Sequence, residues 1–188
     1  MRLGIYGGSF DPPHLGHLLP VIDAAEQLGL DGVRYVPAKV QPLKVGGATA
    51  TAADRLAMTE RLVRGIPGFS VDPVEIDRPG LSYTVDTLAG LARQFPKTEL
   101  FLLLGADAFG LIDQWREVDQ VRALATFVVM ARSGESTPRA MPGVQVLQSR
   151  RVDISSTELR ARMRDGRTIR GFVPDGVADY IAEHRLYR

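Results

Sequence analysis

Short continuous apolar runs, each followed by a stretch of helical periodicity, constrain this chain most. Leu100-Phe101-Leu102-Leu103-Leu104 is the plainest of them. A run with no polar alternate has no face to give to water, so it suits a strand buried on both sides of a parallel sheet. The pattern predicts strands at Leu3–Tyr6, Val33–Pro37, Phe69–Val71, Glu99–Leu104, Phe127–Ala131 and Val144–Leu147. It predicts helices at His17–Leu28, Ala52–Arg64, Thr84–Gln94, Glu117–Leu124, Ser156–Asp165 and Asp175–Glu183. Pro20 then falls in the first turn of the first helix, where a missing N–H costs least. The alternation argues an α/β, doubly wound, mostly parallel sheet. With 188 residues and no internal repeat, one domain over 1–188 is expected. Gln41–Thr51 and Ser133–Gly143 read as loops, the second as a surface insertion, and neither reads as a linker.

Composition excludes several function classes. Basic and acidic residues balance at 23 against 22, so no strong field points to nucleic acid. There is no cysteine, which removes thiolate catalysis and Cys-ligated metal sites. No run approaches the ~18 apolar residues of a membrane span, and no signal-like segment opens the chain. A soluble cytoplasmic protein is the expectation, and a homo-oligomer is left open.

Chemistry concentrates in Gly7-Gly8-Ser9-Phe10-Asp11-Pro12-Pro13-His14-Leu15-Gly16-His17. This segment joins the first strand to the first helix, at the carboxyl edge where open α/β sheets bind ligands. Glycines let backbone approach a phosphate, and a helix start offers unpaired N–H groups and a favourable dipole. Two of the three histidines lie here, at i and i+3. Both can face one ligand if the helix begins at or just before His14.

A second segment, Ile154-Ser155-Ser156-Thr157-Glu158-Leu159-Arg160, opens another helix. Ser155 or Ser156 can cap it, and Glu158 complements the dipole. Arg160 so soon after the start adds a guanidinium to free N–H groups, which makes a phosphate clamp.

Together these segments resemble the two signatures of the nucleotidyltransferase superfamily, G-[ST]-F-D-P-x-H-x-G-H and I-S-S-T-x-x-R. The resemblance spans nearly the whole chain and implies a Rossmann-like nucleotidyltransferase fold. His14 resembles the mononucleotide adenylyltransferases of nicotinate and nicotinamide, whereas pantetheine-phosphate enzymes usually carry threonine there. The likeness implies catalytic roles for His14, His17 and Arg160. It implies ATP contacts from Gly7, Gly8, Ser9, Phe10 and Gly16, from Gly105 and Asp107 in a G-A-D segment, and from Ile154, Ser155 and Ser156. It implies mononucleotide contacts from Asp11, Lys44, Trp115, and Tyr83 and Thr84 of an S-Y-T-x-D-T segment. Leu43 departs from the pattern, since many members have histidine before that lysine. Arg170 matches the tail of the family as a structural or phosphate-side residue.

The implied reaction is ATP plus nicotinate mononucleotide giving deamido-NAD and pyrophosphate, with Mg²⁺ arriving on ATP and no dedicated protein metal cage. A pantetheine-phosphate adenylyltransferase is the rival within the class. A non-catalytic nucleotide-binding domain is the rival outside it. Gln41–Thr51, which carries Lys44, is expected to order when substrate binds.

Overall fold

Arg2–Gly8 forms the first strand, β1, and every later strand of the sheet runs parallel to it. The computed structural model describes residues 1–44, 48–132 and 143–188. The other strands are β2 (Gly32–Pro37), β3 (Phe69–Val71), β4 (Glu99–Gly105), β5 (Thr126–Arg132) and β6 (Val144–Ser149). The helices are α1 (Leu15–Leu28), α2 (Ala52–Val63), α3 (Val74–Asp77), α4 (Thr84–Gln94), α5 (Ala106–Phe109), α6 (Val118–Leu124), α7 (Ser156–Arg164) and α8 (Asp175–Glu183). Among the described residues the sheet order is β3-β2-β1-β4-β5-β6. The chain winds outward from β1 to one edge, returns to β4, and winds outward to the other. This is a doubly wound Rossmann-like fold, and the order reverses between β1 and β4.

Side-chain alternation along the central strands sends successive residues to two separate cores. Leu100, Leu102 and Leu104 of β4 join Val85, Leu88 and Leu91 of α4. Phe101 and Leu103 face the other way, into a core with Val21 of α1, Met58 of α2 and Ile181 of α8. The continuous apolar run is explained by this two-sided burial.

The predicted elements are present, with small shifts at their ends. One shift matters. The first helix begins at Leu15 rather than His17, because the His14 side chain itself caps it. Pro20 is therefore deeper in the helix than the first turn. Lacking an N–H, it leaves the Gly16 carbonyl without its usual i+4 donor. The short helices α3 and α5 were not predicted, since a single turn carries no periodicity. Residues 133–142 of the expected insertion and 45–47 of the Gly-rich loop lie outside the described residues.

Parallel strands β2 and β3 approach closely at Gly32. A Cβ there would stand 2.7 Å from the Gly68 carbonyl oxygen. That oxygen is fixed by the Val33 N–H at 3.0 Å. Gly32→Ala should therefore cost about 1–3 kcal/mol, an overpacking penalty with backbone on one side. Thermal unfolding should show a lower Tm, with turnover at low temperature unchanged.

Candidate active site

A cavity of about 1120 Å³ opens at the carboxyl ends of β1 and β4, where the sheet order reverses. Its lining includes every residue that the two signatures and the S-Y-T and G-A-D segments nominated. Lys44 is the exception. Its backbone lies in the turn Pro42–Lys44, and its side chain lies outside the described residues. Leu43 is exposed and lines the cavity in the place of the expected histidine.

The paired histidines form the start of α1. His14 is the N-cap, with its Nδ1 accepting the Gly16 N–H at 3.1 Å. His17 returns the bond, its Nδ1 accepting the His14 N–H at 3.3 Å. The two rings lie 3.8 Å apart between centroids. Because both Nδ1 atoms accept, each ring carries its proton on Nε2. No acidic residue stands in the first turn of α1. Gly16 is required by crowding: a Cβ there would meet the His14 ring at 2.9 Å and the Ile154 carbonyl at 3.4 Å. The two signatures thus pack directly on one another.

The second signature folds as the sequence suggested. Ser155 caps α7 by accepting the Glu158 N–H, and the Ser156 hydroxyl donates to the Pro12 carbonyl at 2.8 Å. Arg160 donates to the Asp11 carbonyl at 2.6 Å and to the Thr157 hydroxyl at 3.2 Å. The Ser9 hydroxyl donates to Gln41 at 2.9 Å. Phe10 is almost wholly buried, its ring packed against Tyr6, Tyr35 and His17. Its contribution to the cavity is to floor the loop.

Asp11, expected on the mononucleotide side, has its carboxylate turned inward. It accepts the N–H groups of Thr49 and Ala50 and the Tyr187 hydroxyl at 2.7 Å. It also stands 3.9 Å from the Arg160 guanidinium. In this arrangement Asp11 ties three other segments to its own loop. Arg170 pairs with Asp175 and Asp179 at the start of α8 and does not line the cavity.

The cavity is also walled by α4, β4 and the turn after α5. α4 begins at Thr84 with Tyr83 as N-cap and no side chain bonded to its first N–H groups. Ser82 lies one residue before the cap, and its hydroxyl accepts the Lys39 N–H at 2.9 Å. Asp86 is exposed and does not line the cavity. Trp115 is half-buried, resting on the second core with part of its surface on the cavity. The Arg116 guanidinium lies 4.8 Å over the Tyr83 ring. Asp107 lines the cavity from the exposed face of α5. Among the described residues, no group of three or more His, Asp or Glu is placed to hold a metal ion.

Residues 5–162 match the model of the cytidylyltransferase-like family. A protein of Gemmatimonas aurantiaca named "Probable nicotinate-nucleotide adenylyltransferase" is 48% identical, covering 100% of this chain and 93% of the relative. A Thermus thermophilus protein of the same name is 47% identical over 100% of both chains. The chain belongs to the nicotinate-nucleotide adenylyltransferases. The fold is also that of a Plasmodium falciparum nicotinic acid mononucleotide adenylyltransferase complexed with APC, with a TM-score of 0.81 at 19% identity, covering 99% of this chain and 96% of that one.

Three residues of this adenylyltransferase-family site were not found from sequence. Arg55 is 2% exposed and donates to the carbonyls of Ser9, Ala38 and Lys39 at 2.8, 2.6 and 3.1 Å. Its signal was an arginine on the apolar stripe of α2, in phase with Met58 and Leu62. Tyr187 is buried against Asp11, and that burial and hydrogen bond push its hydroxyl up. Glu75, on α3, is a buried carboxyl in the cavity wall whose pKa burial raises, against hydrogen bonds from Thr87 and Ser82 and the charge of Arg78. Nothing local in the sequence marked either of the last two.

Burial holds the His14 ring at about 4, below the ordinary 6.5. The folded protein therefore keeps His14 neutral where the unfolded chain already binds a proton. Stability from this group is full above the unfolded value and is lost as pH falls through the interval down to about 4. A fall to pH 5 should cost about 2 kcal/mol, at about 1.4 kcal/mol per pH unit. His14→Asn keeps a capping side chain but does not titrate. Denaturant unfolding at about pH 7.5 and about pH 5 should show the wild type losing that much more stability than the variant.

Proposed function

We propose that the protein transfers the adenylyl group of ATP to nicotinate mononucleotide, giving deamido-NAD and pyrophosphate. The observation that carries this reading is the convergence of α1, α4 and α7 on one cavity, each helix starting at its wall. Two of these starts lie together beside the histidines, where a triphosphate would sit. The third, α4, starts on the same cavity's wall, which Trp115 also lines. The cavity is large enough for two substrates end to end.

In this reading a phosphate oxygen of the mononucleotide attacks the α-phosphorus of ATP in line. A bond forms between that oxygen and phosphorus, and the bond to the bridging oxygen of the β-phosphate breaks. Pyrophosphate leaves with the electron pair. The attacking phosphate is largely ionised at neutral pH, its second pKa being ~6, so no general base is required. Catalysis rests on position and on donors aimed at growing charge.

His14 and His17 supply Nε2–H donors to the triphosphate from a fixed helix start. A neutral His14 donates without the desolvation cost of a buried cation. Ser9, Lys44 and Arg160 hold phosphates, with Arg160 exchanging its Asp11 carbonyl for the ligand. Asp107, which lines the cavity with Gly105, is the acid that would accept from ribose hydroxyls. Mg²⁺ comes with ATP on phosphate oxygens and water, which fits a phosphate region lined by donors rather than carboxylates. The enzyme works in the cytoplasm.

His17→Ala should lower kcat by ~10²-fold or more, the scale of losing one preorganised donor. ATP affinity should fall less than turnover. Pyrophosphate release measured against ATP concentration checks this, and near-normal kcat would reduce His17 to a helix-start residue.

Substrate choice follows from α4. Its open N–H groups at Thr84 favour an anion, so the nicotinate carboxylate binds better than the neutral amide. Hydrogen bonds to a charged group are worth about 1.5–3 kcal/mol, which sets a preference of ~10- to 200-fold in kcat/KM. Competition kinetics with nicotinate and nicotinamide mononucleotides measures it. Equal efficiency would remove the carboxylate argument and leave adenylyl transfer standing.

A further inference from the structure

We propose that Glu75 is a positioning residue for the mononucleotide, clamping the start of α4 from behind through the hydroxyl of Thr87. This rests on the reading of α4 as the end that receives the nicotinate carboxylate. Glu75 has no place in the transfer chemistry, yet it is a buried acid in the cavity wall. An apolar side chain would pack there at less cost, so the carboxyl is there for its bonds.

Those bonds all reach the same short segment. The Thr87 hydroxyl donates to Glu75 Oε1 at 2.7 Å. Thr87 also supplies an early helical bond of α4, from its N–H to the Tyr83 carbonyl at 3.3 Å. Arg78 donates to the Thr87 hydroxyl at 3.1 Å and to the Tyr83 carbonyl at 3.4 Å. Ser82 is fixed from elsewhere, its hydroxyl accepting the Lys39 N–H at 2.9 Å and its N–H donating to the Val40 carbonyl at 2.9 Å. The entry of α4 is thus held through Thr87 by the Glu75 carboxyl and the Arg78 guanidinium. The N–H groups of α4 point where they do because this network sets the helix entry.

The phosphate loop has an anchor of its own. Arg55 donates to the carbonyls of Ser9, Ala38 and Lys39, and the two networks meet at Lys39, whose N–H donates to the Ser82 hydroxyl. Removing Glu75 should therefore loosen the entry of α4 more than the phosphate loop.

Steady-state kinetics with each substrate varied at saturating partner tests this. Glu75→Ala should raise KM for nicotinate mononucleotide ~10-fold or more and leave KM for ATP within ~3-fold, the scale of orphaned buried donors acting on one site. Glu75→Gln can still accept from Thr87, so KM for the mononucleotide should stay within ~3-fold of wild type. Thr87→Val keeps shape and removes the bridging hydroxyl. It should reproduce the split seen in Glu75→Ala, and it carries the test if that variant does not fold. Equal rises in both KM values, no change in either, or a Gln variant as impaired as the Ala variant would overturn the proposal. Wild-type turnover with unchanged variants overturns this inference alone. A wild type inactive on nicotinate mononucleotide overturns the reaction assigned above, and this inference with it.

Discussion

The reversal of strand order between β1 and β4 is the constraint from which the site follows. A parallel sheet needs a crossover for each step, and the crossovers are right-handed. When the chain winds one way from β1 and the other way from β4, the helices leave on opposite faces. No connection covers the edge between those strands. Gly7 and Gly8 at the end of β1 and Gly105 at the end of β4 therefore border open space, and the cavity occupies it. The same winding brings the starts of α1 and α4 to opposite walls of one gap. Polarity is supplied by backbone, and side chains tune it.

Keeping those loops in place requires polar groups in the interior. Arg55 and Asp11 are nearly inaccessible, and both are bonded mainly to backbone. Buried charges are costly unless paired and hydrogen-bonded. Here the pairing is with carbonyls and N–H groups that irregular loops would otherwise leave unsatisfied. The loops and the charged groups complete each other. That arrangement explains why a site built on connecting segments has a defined shape before any ligand arrives.

Much of this was legible in the chain. The central strands announced themselves because a fully buried run admits no polar alternate. The start of α7 was marked by Ser155, whose hydroxyl caps it, while α4 starts at Thr84 with no side-chain cap. The start of α1 was misplaced because histidine is an uncommon cap, and its imidazole does the work usually left to a hydroxyl or carboxylate. What stayed hidden was long-range. Asp11 reads as a motif acid, and only the fold shows that its oxygens are taken by Thr49, Ala50 and Tyr187. Glu75 sits in a one-turn helix with no periodicity to betray its burial. Contacts between positions far apart in sequence leave no local pattern.

The bond between Tyr187 and Asp11 joins residues 176 positions apart. On a ribosome the phosphate loop emerges near the beginning of synthesis, and its brace emerges long afterwards. Until then the Asp11 carboxylate has no phenol to accept from, and Arg160 is absent for most of that interval. Nascent chains thus hold the glycine turn and both histidines without the means to fix them. Long-range parallel pairing adds to the delay, since β1 must wait for β4. The order of manufacture therefore separates possession of the signature residues from possession of an organised site.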